Sequence, residues 1–388
     1  MKLLHTSDWH VGKQIRGNSR ADEHRAVLGE IAEIAEREDV DLVLVAGDLF
    51  DTSAPSPESE EIVFETLLRF AKTGAEIAVI GGNHDNARRL RALAPVFRGC
   101  GVYVLGEAAR PDQGGLRSFT ARDGSPVKLA MLPFVSQRAI VRAEQLMSAE
   151  AFQNAQRYSQ RLAAIVDALC VGYSADNVNV LMVHAFVTGG AAGGGERAAH
   201  LVEEYAVQAT AFPATAGYVA LGHLHRAQAI AGATAIRYCG SPLQLDFGEI
   251  NDRKQVNIVE LTPGVPARFS PVELSRGRQL RSYSGTIDQL RSAVADDDSW
   301  LRLILQESHR AGLGDQARTM FGDRLVEVRV ESPTDSNARR MPSREGRSPH
   351  ELLDEYMAAQ GTDDPRVKHL FAQLLEADTE LSSEDLLA

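Results

Sequence analysis

Over roughly the first 260 residues, short apolar runs alternate with longer stretches in which apolar positions recur every three or four residues. Lys2–Thr6 is a short apolar run that ends in Ser-Asp-Trp-His. Asp22–Glu38 places Val27, Leu28, Ile31, Ile34 and Ala35 at helical spacing, with acidic residues in the first turn, and predicts a helix. Asp41–Ala46 is almost continuously apolar and β-branched, the pattern of a strand covered on both faces. Glu58–Phe70 reads as a helix, Ile77–Ile80 as a strand and Ala87–Phe97 as a short helix. Val127–Leu132 predicts another strand, and Arg142–Ala168 one or two helices. Val178–Val183, Tyr218–Leu221, Ala235–Tyr238 and Gln255–Leu261 make the following stretch rich in strands. This alternation predicts an α/β domain with helices packed on buried sheet faces.

The pattern changes after Leu261. Residues 262–271 (TPGVPARFSP) are Pro-rich and predict a linker or an edge segment. Residues 276–332 predict a small α+β unit, with helices near Thr286–Val294 and Gly314–Phe321 and strands at Trp300–Leu305 and Arg324–Val330. Residues 333–348 have the Ser/Pro/Arg character of a flexible linker. Beyond it, Pro349–Gln360 and Pro365–Ala377 carry stripes at helical spacing: Leu352, Leu353 and Tyr356, then Val367, Leu370, Phe371 and Leu374. Two such helices cannot bury both stripes alone, so residues 349–388 need either their own domain or a partner surface. The expected organisation is a main domain over 1–270, a small unit over 276–332, a linker and a helical tail. Gly189–Gly195 (GGAAGGG) predicts a flexible loop, either surface filler or a cover for substrate.

Composition narrows the class. Of 388 residues, 44% are apolar and 24% charged, which excludes a largely disordered chain. No apolar run reaches the ~18 residues of a membrane span, and MKLLHTSDWH turns polar too early for a signal peptide. A cytoplasmic protein without membrane partners is the expectation. The three cysteines, Cys100, Cys170 and Cys239, are odd in number and far apart, which counts against a disulfide framework or a cysteine zinc site. With 41 basic and 53 acidic residues the net charge is −12, an argument against a free-standing nucleic-acid binder. Residues 331–388 alone hold 13 acidic and 6 basic residues, so the tail carries more than half of that charge.

Five short polar clusters close predicted strands. They are Asp8 and His10 in D-x-H, Asp48 and Asp51 in G-D-L-F-D, Asn83, His84 and Asp85 in G-G-N-H-D, His184 after V-L-M-V, and His223 and His225 in G-H-L-H. In open α/β sheets ligands bind beyond the carboxyl ends of the strands, where all five clusters fall. Singly, most are weak: G-D-x-x-D also describes an ordinary turn, and a lone His184 commonly belongs to a core or a surface. G-N-H-D is firmer because turn chemistry does not require His, and G-H-x-H puts two imidazoles on one side of an extended segment. Five of the 11 histidines lie in these clusters. The mixture of hard oxygens and imidazole nitrogens suits Mn²⁺, Fe²⁺ or Zn²⁺. A carboxylate such as Asp48 can bridge two cations, and such a pair turns water into hydroxide and neutralises a phosphate ester. The expected reaction is in-line phosphoester hydrolysis. His5, His24 and His200 lie outside the clusters and read as structural or surface residues, while Lys13 and Arg16 sit in a loop that is either solvated or meets a nucleic-acid backbone.

The ordered set resembles the signature of the calcineurin-like metallophosphoesterases. More narrowly, HTSDWHVGK, AGDLFDTSAPSPE, VHAFV, YVALGHLHR and above all YCGSPLQLDFGE (238–249) are similar to the SbcD family, nuclease subunits that work with an SbcC-like ATPase and are related to the archaeal and eukaryotic double-strand-break nucleases. The likeness is strong over 1–262, looser through 276–332, and returns in the tail as SPHELLDEYM. It implies two packed mixed β-sheets flanked by helices, a small α+β cap over DNA, and a tail at 349–388 that grips the ATPase. It implies one metal held by Asp8, His10, Asp48 and His225 and a second by Asp48, Asn83, His184 and His223. His84 would stabilise the phosphate or protonate the leaving oxygen, with Asp85 and Asp51 orienting it or the ligands. The resemblance further implies two Mn²⁺ ions (Mg²⁺ or another divalent cation being possible), a homodimer, 3′→5′ exonuclease action on duplex DNA, single-strand endonuclease action and hairpin cleavage in DNA repair, recombination and replication. Gly217 stands where the family often has Asp and Gln244 where Pro is common, and neither position is an expected ligand. Two cations would add positive charge at the site and weaken the objection from acidity. The same chemistry in a small-substrate phosphatase or cyclic-nucleotide phosphodiesterase needs neither 238–249 nor the appended units.

Overall fold

The computed structural model describes residues 1–136, 151–196, 206–331 apart from 309 and 311, 349–359, 362 and 364–372. Its first sheet contains β1 (Lys2–Thr6), β2 (Leu42–Val45), β3 (Glu76–Ile80) and β4 (Val102–Leu105), all parallel. Antiparallel β11 (Gln255–Thr262) and β12 (Val265–Glu273) extend it beyond β1, in the order β12-β11-β1-β2-β3-β4. The second sheet comprises β5 (Leu116–Thr120), β6 (Pro126–Leu132), β7 (Val178–His184), β8 (Tyr218–Gly222), β9 (Gln228–Ile230) and β10 (Ile236–Tyr238), in the order β5-β6-β7-β8-β10-β9. Here β6, β7, β8 and β10 are parallel, and the two edges are antiparallel.

The strand alternation decides which faces meet. Leu42, Leu44, Ala78 and Ile80 of the first sheet pack with Leu129, Met131, Val180 and Met182 of the second, forming an apolar layer between the sheets. The intervening residues Val43, Val45, Ile77 and Val79 turn outward to α1 (Ala21–Arg37), α2 (Pro57–Ala71) and α3 (Ala87–Gly99). Leu181 and Val183 turn the other way, to Tyr158, Leu162 and Val166 of α4 (Ala151–Leu169). Both sheets are covered on both faces, and for that reason their central strands are predominantly apolar, from the unbroken LVLV of β2 to β1 and β7, which carry the buried polar residues His5 and Asn179.

The Pro-rich 262–271 segment proves to be mostly β12, an edge strand, where a residue without an N–H is tolerated. Helix α3 runs past Pro95 to Gly99, two residues beyond the expected end. Strands β4, β5 and β9 were not expected from the sequence; all three are short. Residues 137–150, the start of the expected Arg142–Ala168 helix, lie outside the described residues, as do His200, the 333–348 linker and residues 373–388.

A third sheet is built from β13 (Leu280–Gly285), β14 (Trp300–Leu305) and β15 (Leu325–Val330), all parallel and joined through α5 (Ile287–Ala293) and α6 (Leu313–Phe321). β13 escapes a sequence reading because LRSYSG lacks an apolar run. This unit docks through Leu280 and Trp300 onto Ile15 and Phe247 of the main body. Beside that contact Arg20 and Glu23 are buried as an ion pair at 2.7 Å. The Glu23 carboxylate also accepts hydrogen bonds from the Trp300 indole (2.8 Å) and the Arg278 N–H (2.8 Å). In the tail, α7 (Pro349–Ala359) is followed by a helical stretch over 365–372. Among the described residues no helix is long and apolar enough to cross a membrane.

Candidate metal centre

Asp8 and His10 follow β1, Asp48 follows β2, Asn83 and His84 follow β3, His184 ends β7, and His223 and His225 follow β8. All eight stand at the carboxyl ends of central parallel strands from both sheets, so the packing of one sheet on the other assembles them. The local backbone is unusual there. Of six described non-glycine residues with positive φ, four are Asp8 (53°), His10 (46°), Asp48 (51°) and His223 (112°). Such conformations cost about 1–3 kcal/mol each and persist where surrounding structure imposes them. The imposing contacts are visible: the Asp8 N–H donates to Gly47 O (3.0 Å), the His10 N–H to Asp48 O (3.0 Å), and the His223 N–H to Asp8 Oδ1 (2.8 Å).

The donor atoms converge. Asn83 Oδ1 lies 2.9 Å from His184 Nε2 and 2.8 Å from His223 Nδ1. His225 Nε2 is 3.1 Å from His10 Nε2, and Asp8, His10 and His225 form one tight group. Asp48 Oδ2 stands between the two sets, 3.6 Å from His10 Nε2 and 3.4 Å from His184 Nε2. His184 Nδ1–H donates to Ala46 O at 2.7 Å, which directs the Nε2 lone pair into the cluster. Gly82 and Gly47 make room for this: a Cβ on Gly82 would meet Asp48 Oδ1 at 2.1 Å, and one on Gly47 would meet His184 Nδ1 at 2.3 Å. Acceptor atoms crowded at such distances, with both carboxylates buried, form a donor set fitted to divalent cations.

Residues 1–227 match the calcineurin-like phosphoesterase family model. The SbcD chain of the SbcCD nuclease from Bacillus subtilis is 33% identical over 327 residues, covering 80% of this chain and 82% of the relative. The chain belongs to the calcineurin-like phosphoesterases, in the family of SbcD nuclease subunits. The SbcD chain of the Rhodobacter capsulatus SbcCD nuclease is 34% identical over 70% of this chain and 69% of its own length. Its Escherichia coli K12 counterpart is 28% identical over 97% of this chain and 98% of its own. As a member of this family the chain is a metal-dependent phosphodiester hydrolase.

Within the phosphoesterase site, His84 is buried and held at two atoms. Its N–H donates to Asp48 Oδ1 (2.8 Å), and its Nδ1–H donates to the backbone carbonyl of Asp51 (2.7 Å). Its ring stands edge-on to His10 at 4.6 Å. The Asp51 side chain faces His10 Nδ1 (3.6 Å) and Lys13 Nζ (3.2 Å). Asp85 accepts from the N–H groups of Gly82 (2.8 Å), Leu49 (3.2 Å) and Phe50 (3.1 Å), tying the loop after β3 to the loop after β2. It orients the backbone that carries Asp48 and Asn83; its carboxylate bonds are to those amides. Burial pushes the Asp85 carboxyl up to about 6, reinforced by Asp48 and opposed by the three N–H donors. At Asp48 burial also pushes upward, but His184, His84 and His10 outweigh it and hold the group well below the usual carboxylate range. His184 responds in the opposite sense: burial lowers it, and Asp48 overrides this to raise it to about 9.

Three participants lie outside the sequence-derived set. Glu249, Lys254 and Glu196 enclose His225: Glu249 Oε1 is 3.0 Å from His225 Nδ1, Lys254 Nζ donates to the His225 carbonyl (3.0 Å), and Glu196 accepts from the His225 N–H (2.9 Å). Glu249 ends the 238–249 segment singled out in the sequence, but nothing in a linear reading places it beside a residue 24 positions away. The GGAAGGG loop is also ordered by this site. Its Gly193 and Gly194 N–H groups donate to Glu196, both at 2.7 Å. His5 and His24 are buried and bond to Tyr218 Oη and Arg20 O, both at 3.0 Å, in keeping with structural roles.

Proposed function

We propose that this chain is a Mn²⁺-dependent DNA nuclease that acts as a homodimer with an SbcC-like ATPase. The observation that carries the proposal is the position of Asp48 between two sets of donors, Asp8, His10 and His225 on one side and Asn83, His184 and His223 on the other. These seven residues would hold two cations, which when bound activate water and neutralise the phosphodiester. The chain's own contribution is orientation. Asp85 and the Asp51 carbonyl fix the loop and the His84 ring, so that Nε2 is the atom assigned to the phosphate or the leaving oxygen. The 280–330 unit docks beside the loop that follows His10, where it would border a DNA strand entering the site. Tail residues Tyr356, Val367 and Leu370 are exposed, as an ATPase-binding surface requires.

The test is cleavage of labelled linear duplex and hairpin DNA with Mn²⁺, with and without the ATPase. Degradation that stops on chelation is the expected result. Turnover of bis-p-nitrophenyl phosphate with no cutting of any DNA would instead place the chain among small-substrate phosphodiesterases.

A further inference from the structure

His225 differs from His184, at the opposite side of the cluster, in what stands behind it. His184 Nδ1 is backed by a neutral backbone carbonyl, Ala46 O. His225 Nδ1 is backed by the carboxylate of Glu249 at 3.0 Å, and Glu249 is fully buried. That carboxylate is itself held, by Lys254 Nζ (2.7 Å) and the Leu245 N–H (3.0 Å) on Oε2. Both polar main-chain groups of His225 are also committed. Its N–H donates to Glu196, and its carbonyl accepts from the Ser241 N–H (3.1 Å) and Lys254 Nζ (3.0 Å). Only Nε2 points to the ligand cluster, toward His10. The cradle has no slack: a Cβ on Gly195 would meet Glu249 Oε1 at 2.6 Å and His225 Nδ1 at 2.9 Å.

We infer that Glu249 is a positioning residue that acts through His225, fixing its Nδ1–H tautomer and making its Nε2 a stronger donor to the cation shared with Asp8, His10 and Asp48. A carboxylate behind an imidazole raises the basicity of the far nitrogen, and a carbonyl does so less. The two cation positions are therefore unequal by construction, and the inequality is written in the 238–249 segment. The inference rests on the two-cation reading of the site.

The test is Mn²⁺ titration of metal-free protein by calorimetry and electron paramagnetic resonance. Wild type is expected to bind two equivalents; if it binds none, the two-cation reading fails before the role of Glu249 is reached. In Glu249→Gln one of the two affinities is expected to fall about 10–100-fold and the other to stay within twofold. Glu249→Asp keeps the charge and is expected to recover part of the loss, which a purely structural role would not predict. Should Glu249→Gln fail to fold, as circular dichroism would show, Glu249→Asp gives the reading alone, with the loss again confined to one affinity. Two unchanged affinities in a folded variant, or equal losses at both, would overturn the assignment.

Discussion

A single methyl group is the sharpest probe at the residue scale. Gly82 does not have a positive φ, so Gly82→Ala brings no left-handed strain, yet its Cβ would lie 2.1 Å from Asp48 Oδ1 and 2.4 Å from the Asp48 backbone N. The Asp48 carboxylate and its loop must move, and on the proposed two-cation reading Mn²⁺ affinity is expected to fall by at least about tenfold. Titration calorimetry beside a melting curve separates this loss from unfolding. His84→Ala separates chemistry from binding in the other direction. His84 contacts Asp48 through its backbone N–H, which alanine retains, so metal binding is expected to persist. Cleavage is expected to fall about 10²–10⁴-fold, the usual worth of a general acid or charge stabiliser. Loss of both metals in this variant would make His84 structural. The residue types at these positions were legible in the sequence because few alternatives explain Asp, Asn and His in this order. Glu196, Glu249 and Lys254 were not, because their roles depend on loops folding back over His225.

Elements are held to one another by polar contacts as well as by apolar layers. The third sheet meets the main body through the pair Arg20–Glu23 and the Trp300 indole. Burial pushes the Glu23 carboxyl up, but Arg20, the Trp300 indole and the Arg278 N–H outweigh it, and the group titrates below its ordinary 4.5. A depressed folded value means the contribution is complete above about pH 4.5 and is lost as pH falls through the folded value. Trp300→Phe keeps an aromatic ring and deletes the N–H, and is expected to cost about 1–3 kcal/mol. Calorimetric unfolding at pH 7 and pH 4 checks both points: the variant's deficit should shrink at the lower pH, where Glu23 is already weakened. An equal deficit at both would assign the effect to packing. The sequence could not show this contact, since Glu23 and Trp300 are 277 residues apart and each looks ordinary locally.

For the whole molecule, the charge distribution and the tail matter most. The acidic excess is concentrated in 331–388, a stretch that supplies none of the residues of the ligand cluster. Deleting 345–388 is expected to abolish association with an SbcC-like ATPase and to leave Mn²⁺-dependent phosphodiester hydrolysis intact, as read by gel filtration of the mixture and by turnover. Retained association would move the partner surface to the folded body.

Several levels of this protein were fixed by local sequence alone. The unbroken apolar run at Leu42–Val45 and the nearly continuous one at Val178–Val183, interrupted only by Asn179, announce strands covered on both faces, and helical stripes such as Val27–Ala35 announce their cover. Cluster order after each strand names the candidate ligands, because chemistry restricts residue type more tightly than packing does. Only the tertiary structure decided that two sheets would place their strand ends at one point, that Asp48 would stand between the two sets of donors, and that Glu249 would back His225. The physical reason is distance along the chain. Strands and turns are set by neighbours a few residues away, whereas the site is closed by contacts between positions such as Asp8 and His223, 215 residues apart, which exist only once both sheets are packed.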